Sequence, residues 1–311
     1  MWEKLSDALS KNQSVSMQTE WIQEIVKCSL NGAMSRRVFM AGASSKDASS
    51  AFWVGYQMAI QKLFSPLLNN EIAAFVVNEN KSSKPADWVT ILEWKNEQWH
   101  LSGRKDFVTA SDQIDALLVA ANLGNAEKNN LGACRVCKLP IYAENVVLDD
   151  FKLPILSGLK KSRASFSCVE VLNENVSKDD GYIEYVKPFR LIEDFYVSIS
   201  LLGFLTRLIL KSEIKGAATS EFLGEVSLCY EAMLSCEKRV NLSLTENSVT
   251  PDFTVELFIK KVGQLIVSVL KEDGLLGSCQ ALKSDLMILK IGKKARDIRY
   301  QRAFESVLSI T

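Results

Sequence analysis

This 311-residue sequence contains almost no histidine and has no excess of either charge. His100 is the only histidine, which excludes sites built from several histidines and disfavours a catalytic triad that needs one. Lysine plus arginine equals aspartate plus glutamate at 37 each, so no net field attracts a polyanion. We therefore expect neither nucleic acid nor an anionic membrane surface as the main partner.

Long apolar segments are also missing. The longest, residues 195–210, is interrupted by Ser198, Ser200 and Arg207 and is shorter than the ~20 residues that a membrane-spanning helix needs. It predicts a core helix. The opening segment MWEKLSDALSKNQ has no apolar stretch after a basic one, so a signal peptide is not expected.

Cysteine is present, but not in a pattern that indicates disulfides or a metal site. The seven cysteines are an odd number scattered through apolar stretches, which is typical of buried, reduced thiols. Cys134 and Cys137 form a single CxxC pair with no second pair and no nearby histidine, so we predict no metal. Reduced thiols indicate a cytoplasmic location.

The spacing of apolar residues divides the sequence into three regions. Residues 1–70 show the three- and four-residue steps of amphipathic helices, residues 71–182 alternate as strands do, and residues 183–311 are helical again. Six or seven short strands separated by turn residues favour a closed barrel or sandwich over a parallel sheet with crossover helices. The predicted fold is α+β, with a short N-terminal helical region, a middle antiparallel β-barrel or sandwich, and a C-terminal four-helix bundle.

The same periodicity predicts individual helices. In the first region they are Trp2–Leu9, Gln18–Cys28 and Ala51–Phe64. In the last region they are Pro188–Lys211, Ser220–Arg239, a helix with Thr250 as N-cap and Pro251 in its first turn, and Ser278–Leu308. The basic residues of that last helix predict a solvated face; they are Lys290, Lys293, Lys294, Arg296, Arg299 and Arg302.

One segment of the middle region predicts a β-hairpin. A strand at Trp99–Ser102, a turn at Gly103–Lys105 and a second strand at Ala116–Ala121 would place Phe107 and Thr109 in the connecting loop. The sequence order is W-x-x-x-G-x-K-x-F-V-T, followed by a run that ends V-A-A.

This order resembles the middle β-domain of the acyl-CoA dehydrogenase family. Upstream, Phe75-Val76-Val77-Asn78-Glu79 resembles the aromatic-x-Val-Thr-Glu strand of that family, with Asn78 in place of threonine. The predicted order of helices, strands and four helices is also similar to the domain order of the family.

The resemblance implies a homo-oligomeric FAD flavoprotein of fatty acid metabolism. Such an oxidoreductase acts on an acyl-CoA or another acyl-thioester: a carboxylate removes the α-proton and the β-hydride passes to the flavin. By their places in the two motifs, Phe75, Val77, Asn78, Phe107 and Thr109 are the implied flavin contacts.

The resemblance also implies a catalytic base. Some branches of the family carry a glutamate on the first bundle helix, ten residues before a small helix-packing residue; Glu193 stands ten residues before Gly203. Burial and the neighbouring Asp194 would raise the pKa of the Glu193 carboxyl. Alternatively, the two acids complement the helix dipole and pair with Lys187 or Arg190. Arg190 itself is either part of a linker or a contact for a substrate phosphate.

The sequence departs from the family at the phosphate contacts and at the second base position. A Gly-Ser-Asp turn after the Glu79 match is replaced by residues 80–87, in which Ser82, Ser83 and Lys84 are either anion contacts or a surface loop. A Tyr-Glu-Gly-Thr loop is absent from the last region; Glu272–Gly277 is the nearest match. The alternative function is therefore a non-catalytic, flavin-free scaffold or interaction protein of the same fold, and enzymatic activity stays open.

Overall fold

The computed structural model describes residues 34–124, 134–212, 216–245, 251–271, 284–290 and 292–309. The predicted helices Trp2–Leu9 and Gln18–Cys28 lie outside these residues. The chain forms two compact units. The helical unit contains the described residues up to Met58, the segment Pro154–Gly158 and the described residues from Ile192 onward; the β unit contains 59–153 and 159–191. The three-region division at residues 70 and 182 stays a prediction.

Among the described residues, six α-helices have at least eleven residues. They are α1 Met34–Ser44, α2 Ala48–Phe64, α3 Lys187–Lys211, α4 Ala217–Thr245, α5 Phe253–Lys271 and α6 Lys293–Leu308. The predicted helices Ala51–Phe64, Pro188–Lys211 and Ser220–Arg239 are confirmed with small extensions. None of the described helices is long and apolar enough to cross a membrane.

Two predicted helix boundaries need correction. The N-cap of α5 is Asp252, whose carboxylate accepts a hydrogen bond from the Val255 amide at 3.1 Å; Pro251 precedes the cap, and Thr250 lies outside the described residues. The part of the predicted last helix before Ser284 lies outside the described residues, and the described part is not continuous. It is broken by a 3-10 turn at Met287–Lys290 and by Gly292, whose positive φ of 72° does not continue a right-handed helix.

The N-terminus of α1 is capped by a side chain from a distant part of the sequence. The carboxylate of Glu237 on α4 accepts hydrogen bonds from the amides of Met34 and Ser35 at 3.0 and 3.2 Å and from the Ser35 hydroxyl at 2.6 Å. Because the first amides of a helix have no partner within the helix, this carboxylate satisfies them and complements the helix dipole.

Glycines allow α1 to pack closely against α3. A Cβ atom added at Gly42 would lie 1.9 Å from the Ser200 carbonyl oxygen, and one added at Gly203 would lie 2.0 Å from that of Phe39. The interpretation of Gly203 as a helix-packing residue is therefore confirmed.

Replacing Gly203 by alanine is expected to destabilise the protein by about 1–3 kcal/mol or more, because the new methyl group must displace backbone rather than a side chain. The matched control is Gly224→Ala on α4, where an added Cβ meets nothing within 4 Å. A helix gains about 0.5–1 kcal/mol from that change. Urea unfolding of both variants measures the two effects, and equal effects would contradict the close packing.

The β unit contains one seven-stranded sheet. Its strands are β1 Ala73–Val76, β2 Ile91–Lys95, β3 Gln98–Thr109, β4 Ala116–Leu123, β5 Cys134–Pro140, β6 Val146–Phe151 and β7 Lys161–Val171. The order is β1-β4-β2-β3-β7-β6, with β5 paired to β4. The neighbours pair antiparallel except that β4 runs parallel to both β1 and β2. The α+β class and the order of helices, sheet and helices are confirmed.

The predicted β-hairpin is wrong. β3 runs without a turn from Gln98 to Thr109 and pairs with β2 and β7, whereas β4 pairs with β1, β2 and β5. Gly103 marks an irregularity inside the strand, with a φ of 135° and a shift in register against β7. A Cβ at Gly103 would lie 2.5 Å from the Cα atom of Thr90, so a close backbone approach, not a turn, explains this glycine.

Candidate functional site

A buried ion pair joins the two motif segments within the β unit. Lys105 Nζ lies 2.5 Å from the Glu79 carboxylate, and the two side chains are 0% and 1% exposed. The ammonium also donates to the Val77 carbonyl at 3.1 Å and lies 4.4 Å from the centre of the Trp88 ring. Burial lowers the pKa of Lys105, although the Glu79 charge opposes this effect. This lysine was predicted to lie in a turn; its burial with Glu79 is why β3 continues through it.

The ion pair holds residues 77–79 beside residues 105–107. The Asp106 amide donates to the Asn78 carbonyl at 2.8 Å, and the Lys81 amide donates to the Asp106 carboxylate at 3.1 Å. Asn78 is exposed and Phe107 is 41% exposed. Two adjacent backbone segments thus carry an exposed amide side chain and an exposed aromatic ring, and that ring packs edge-on against the ring of Phe151 at 5.4 Å.

The other predicted flavin contacts differ in exposure. Phe75 is only 7% exposed; its ring lies 4.6 Å from that of Phe64 and 5.0 Å from that of Phe189. It is therefore a core residue of the β unit, and its ring does not offer a surface to a ligand. Val77 and Thr109 are half-buried, and Thr109 pairs with Lys161 of β7 in the sheet.

Residues 79–82 form a tight turn, and Pro85–Asp87 form a short 3-10 helix. Glu79 and Ser82 exchange backbone hydrogen bonds of 3.0 and 2.8 Å, and Asn80 and Lys81 have the positive φ values of a two-residue hairpin turn. The Ser82 hydroxyl donates to the Asp87 carboxylate at 2.5 Å. Because this hydroxyl already donates its hydrogen bond to an acid, the geometry favours a surface loop over an anion contact at Ser82.

In the helical unit, the acid beside Glu193 belongs to a four-membered ionic cluster. Arg296 and Arg299 of α6 bind the two oxygens of Asp194 at 2.9 and 2.7 Å, and Arg299 also binds Glu256 of α5 at 2.6 Å. The alternative in which the two acids pair with Lys187 or Arg190 is therefore wrong for Asp194, whose partners come from the other end of the sequence.

The same cluster corrects the predicted basic face of the last helix. The side chains of Arg296 and Arg299 are each 18% exposed, whereas Lys293, Lys294 and Arg302 are exposed as predicted. The roles of both arginines and of Glu256 were not predicted from the sequence. The one signal available there was Glu256, an acid within an otherwise apolar stretch of α5.

Burial and ion pairing shift the pKa values of the ionic cluster in opposite directions. Burial is the largest influence on Glu256 and raises the pKa of its carboxyl, although Arg299 opposes this. Burial alone would lower the pKa of Arg299, but the charges of Asp194 and Glu256 outweigh it and raise that pKa. Arg299 therefore stays cationic, and Glu256 depends on it to remain ionised inside the unit.

Replacing Arg299 by methionine is expected to cost about 3–5 kcal/mol near neutral pH, because Glu256 then stays buried without its cation. The folded-state pKa of Glu256, already raised, rises further. An acid whose pKa is higher in the folded than in the unfolded state stabilises the fold most below its unfolded pKa of about 4.3. That contribution is lost as the pH rises through the folded-state pKa. The deficit should therefore shrink as the pH is lowered from neutral towards 5.

Urea unfolding at several pH values measures this deficit. The matched control is Lys293→Met on the same helix, whose ion pair with Asp297 is 71% and 62% exposed and contributes 0 to about 1 kcal/mol. A deficit in Arg299→Met that is small, or equal at all pH values, would contradict the role of Glu256.

Glu193 itself is half-buried near the start of α3. Arg190 is exposed and lies three residues earlier on the same helix.

The two cysteines of the CxxC pair, Cys134 and Cys137, are both buried on β5. Burial raises the pKa of each thiol to about 12, so neither thiol is available as a thiolate near neutral pH.

The architecture has clear counterparts among solved structures. An FAD-dependent dehydrogenase matches with a TM-score of 0.73 at 13% identity, over 98% of this chain and 97% of its own. Butyryl-CoA dehydrogenase from Megasphaera elsdenii matches with a TM-score of 0.72 at 12% identity, over 98% and 96% of the two chains. The chain has the acyl-CoA dehydrogenase fold. A glutaryl-coenzyme A dehydrogenase in complex with glutaryl-CoA matches with a TM-score of 0.65 at 10% identity, over 93% and 82%.

The acyl-CoA dehydrogenase resemblance of the two motifs is thus confirmed at the level of the fold. No protein-family model matches the sequence, and no curated protein matches it either. At these identities the counterparts do not assign a role to any single residue of the chain.

The residues present can be compared with what a flavin of an acyl-CoA dehydrogenase needs. An isoalloxazine ring has a flat aromatic face and polar atoms along one edge, which suits an exposed aromatic ring and an exposed amide on adjacent backbone segments, as Phe107 and Asn78 are. The Ser82 hydroxyl does not suit a pyrophosphate equally well, because it already donates a hydrogen bond to the Asp87 carboxylate. The β unit therefore fits the ring of the cofactor better than its phosphates.

Proposed function

We propose that the protein is a flavin-dependent oxidoreductase that dehydrogenates an acyl-thioester such as an acyl-CoA. One observation carries the proposal: in an acyl-CoA dehydrogenase fold, the buried Lys105–Glu79 pair fixes two adjacent backbone segments that carry the exposed side chains of Asn78 and Phe107. A buried ion pair that fixes two exposed groups is the kind of support that a preorganised binding surface needs.

In this proposal each residue has a defined task. Phe107 and Thr109 contact the flavin ring, and the backbone of Phe75 and Val77 together with the Asn78 side chain line its polar edge. Glu193 takes the proton from the carbon next to the thioester carbonyl, and Arg190 binds a phosphate of the acyl carrier. When bound, the flavin accepts the hydride from the β-carbon.

The half-buried position of Glu193 supports its task as a base. A carboxylate partly removed from water is a stronger proton acceptor than an exposed one. Asp194, its neighbour, has both oxygens bound to arginines, so its carboxylate is committed to the ionic cluster.

The proposal is tested by adding acyl-thioesters of different chain length to the FAD-loaded protein without oxygen. We expect loss of the visible flavin absorbance with at least one thioester and recovery of the enoyl-thioester product by mass spectrometry. Unchanged flavin absorbance with every thioester would contradict dehydrogenation.

A second function is favoured by the turn that follows Glu79. Its Ser82 hydroxyl is committed to Asp87, and no Gly-Ser-Asp turn is present there to bind phosphate. On that observation the chain is a flavin-free interaction protein that keeps the fold and has lost the cofactor. Failure of the purified protein to bind FAD would select this function.

A further inference from the structure

Cys168 differs from the other described cysteines in its exposure. Cys134, Cys137, Cys229 and Cys236 are buried, whereas Cys168 is exposed. Burial raises the pKa of the Cys229 thiol to about 11 and that of the other three to about 12. Among the described thiols, Cys168 is therefore the one that a dissolved reagent can reach as a nucleophile.

The single histidine of the chain lies beside this thiol. The Nδ1 atom of His100 on β3 is 3.5 Å from the Sγ atom of Cys168 on β7, a hydrogen-bonding distance for sulfur. A neutral imidazole at this distance can take the thiol proton and leave a thiolate, which is the nucleophilic form of cysteine. The two residues therefore supply the nucleophile and the base of an activated thiol.

The backbone at Cys168 is shaped to make this contact. Cys168 has a φ of 55°, in the left-handed region that residues other than glycine rarely adopt. It lies where the register of β3 against β7 shifts, and its amide donates to the Ser102 hydroxyl at 3.1 Å. A β-bulge of this kind re-aims a side chain, and here the re-aimed side chain meets His100.

Charged groups from both neighbouring strands face the pair. Glu93 of β2 and Glu170 of β7 stand opposite His100 in the sheet register; Glu93 pairs with Lys95, and Glu170 accepts a hydrogen bond from Gln98. Lys95 of β2 is close enough to feel the Cys168 charge, which adds a small upward effect on the Lys95 pKa behind the larger effects of Glu93. A cation is thus close enough to interact with a thiolate at Cys168.

We propose that Cys168 and His100 form a reactive thiol site that captures low-molecular-weight disulfides of the glutathione type. His100 accepts the thiol proton, and the sulfur of Cys168 attacks one sulfur of the disulfide. A new sulfur–sulfur bond forms as the old one breaks, and the departing thiolate takes the proton back from His100. Cys168 ends as a mixed disulfide and the other half of the reagent as a free thiol.

The test follows the reaction of the native protein with an aromatic disulfide that releases a coloured thiolate. We expect one fast-reacting thiol, which is lost in Cys168→Ser and is slowed at least about tenfold in His100→Gln. Because Cys28 and Cys279 lie outside the described residues, a variant with both changed to serine is the control, and it should keep the fast phase. Oxidised glutathione should then add once per chain, as measured by intact mass.

The pH profile of the native protein keeps the test decisive if a variant does not fold. With His100 as the proton acceptor, the fast phase should persist at pH values so low that free glutathione, a thiol without such a base, no longer reacts with the reagent. A fast phase that survives in Cys168→Ser, or one that disappears at the same pH as the reaction of free glutathione, would overturn the proposal.

Discussion

Replacing Glu193 by glutamine is expected to lower the turnover of an acyl-thioester by about 10²- to 10⁴-fold, the usual contribution of a general base. Glutamine keeps the size and the hydrogen-bonding capacity of the side chain but cannot hold the proton. Because Glu193 is half-buried at the start of α3 and its neighbour Asp194 is bound by two arginines, the change should leave the helix in place. The measurement is steady-state turnover at saturating thioester.

The flavin content and a control variant show whether the loss of turnover comes from the missing carboxylate. Flavin content should be unchanged in Glu193→Gln, because the proposed flavin contacts lie in the β unit. The matched control is Glu231→Gln, the same chemical change at an exposed position of α4, which should retain full turnover. Equal turnover in native protein and Glu193→Gln would remove Glu193 as the base while leaving flavin binding untouched.

Replacing Lys105 by methionine is expected to lower the free energy of unfolding by about 3–5 kcal/mol, because it leaves the Glu79 charge buried without its cation. The remaining partners of that carboxylate are the amides of Val89 and Thr90, at 2.6 and 3.2 Å. Two amides solvate a carboxylate less well than a cation together with two amides do. Urea unfolding followed by circular dichroism gives the loss.

The chain offers a matched control for this ion pair. Lys95 and Glu93 are also 2.5 Å apart, but their side chains are 60% and 34% exposed, so Lys95→Met should cost only 0 to about 1 kcal/mol. The double variant Glu79→Gln with Lys105→Met should recover part of the loss, since it removes the buried charge. Similar losses for Lys105→Met and Lys95→Met would mean that burial does not set the strength of the pair.

Local patterns in the sequence predicted most of the elements. The helix at Ala51–Phe64 and the long apolar helix that follows Pro188 are confirmed because their periodicity and their ending at proline or loop residues are local properties. The two motif segments were also found, because each lies within one short stretch of chain. Their contact through Lys105 and Glu79 was not predicted, since no local pattern shows that a lysine 26 residues away will be buried against an acid.

The missed features share a physical cause. The cap on α1 comes from Glu237, and the partners of Asp194 come from α6, so both depend on tertiary packing between distant parts of the chain. Gly103 was interpreted as a turn because glycine serves both turns and bulges. Only the strand pairing, which is a long-range property, distinguishes the two.

The most direct test of the account is the visible absorbance spectrum of the purified protein, recorded before and after incubation with FAD and removal of the unbound cofactor. The account predicts flavin bands that are retained at close to one per chain, and their weakening in a Phe107→Ala variant that remains folded. A protein that is folded but retains no flavin would contradict the oxidoreductase proposal and leave the chain as a flavin-free protein of the acyl-CoA dehydrogenase fold.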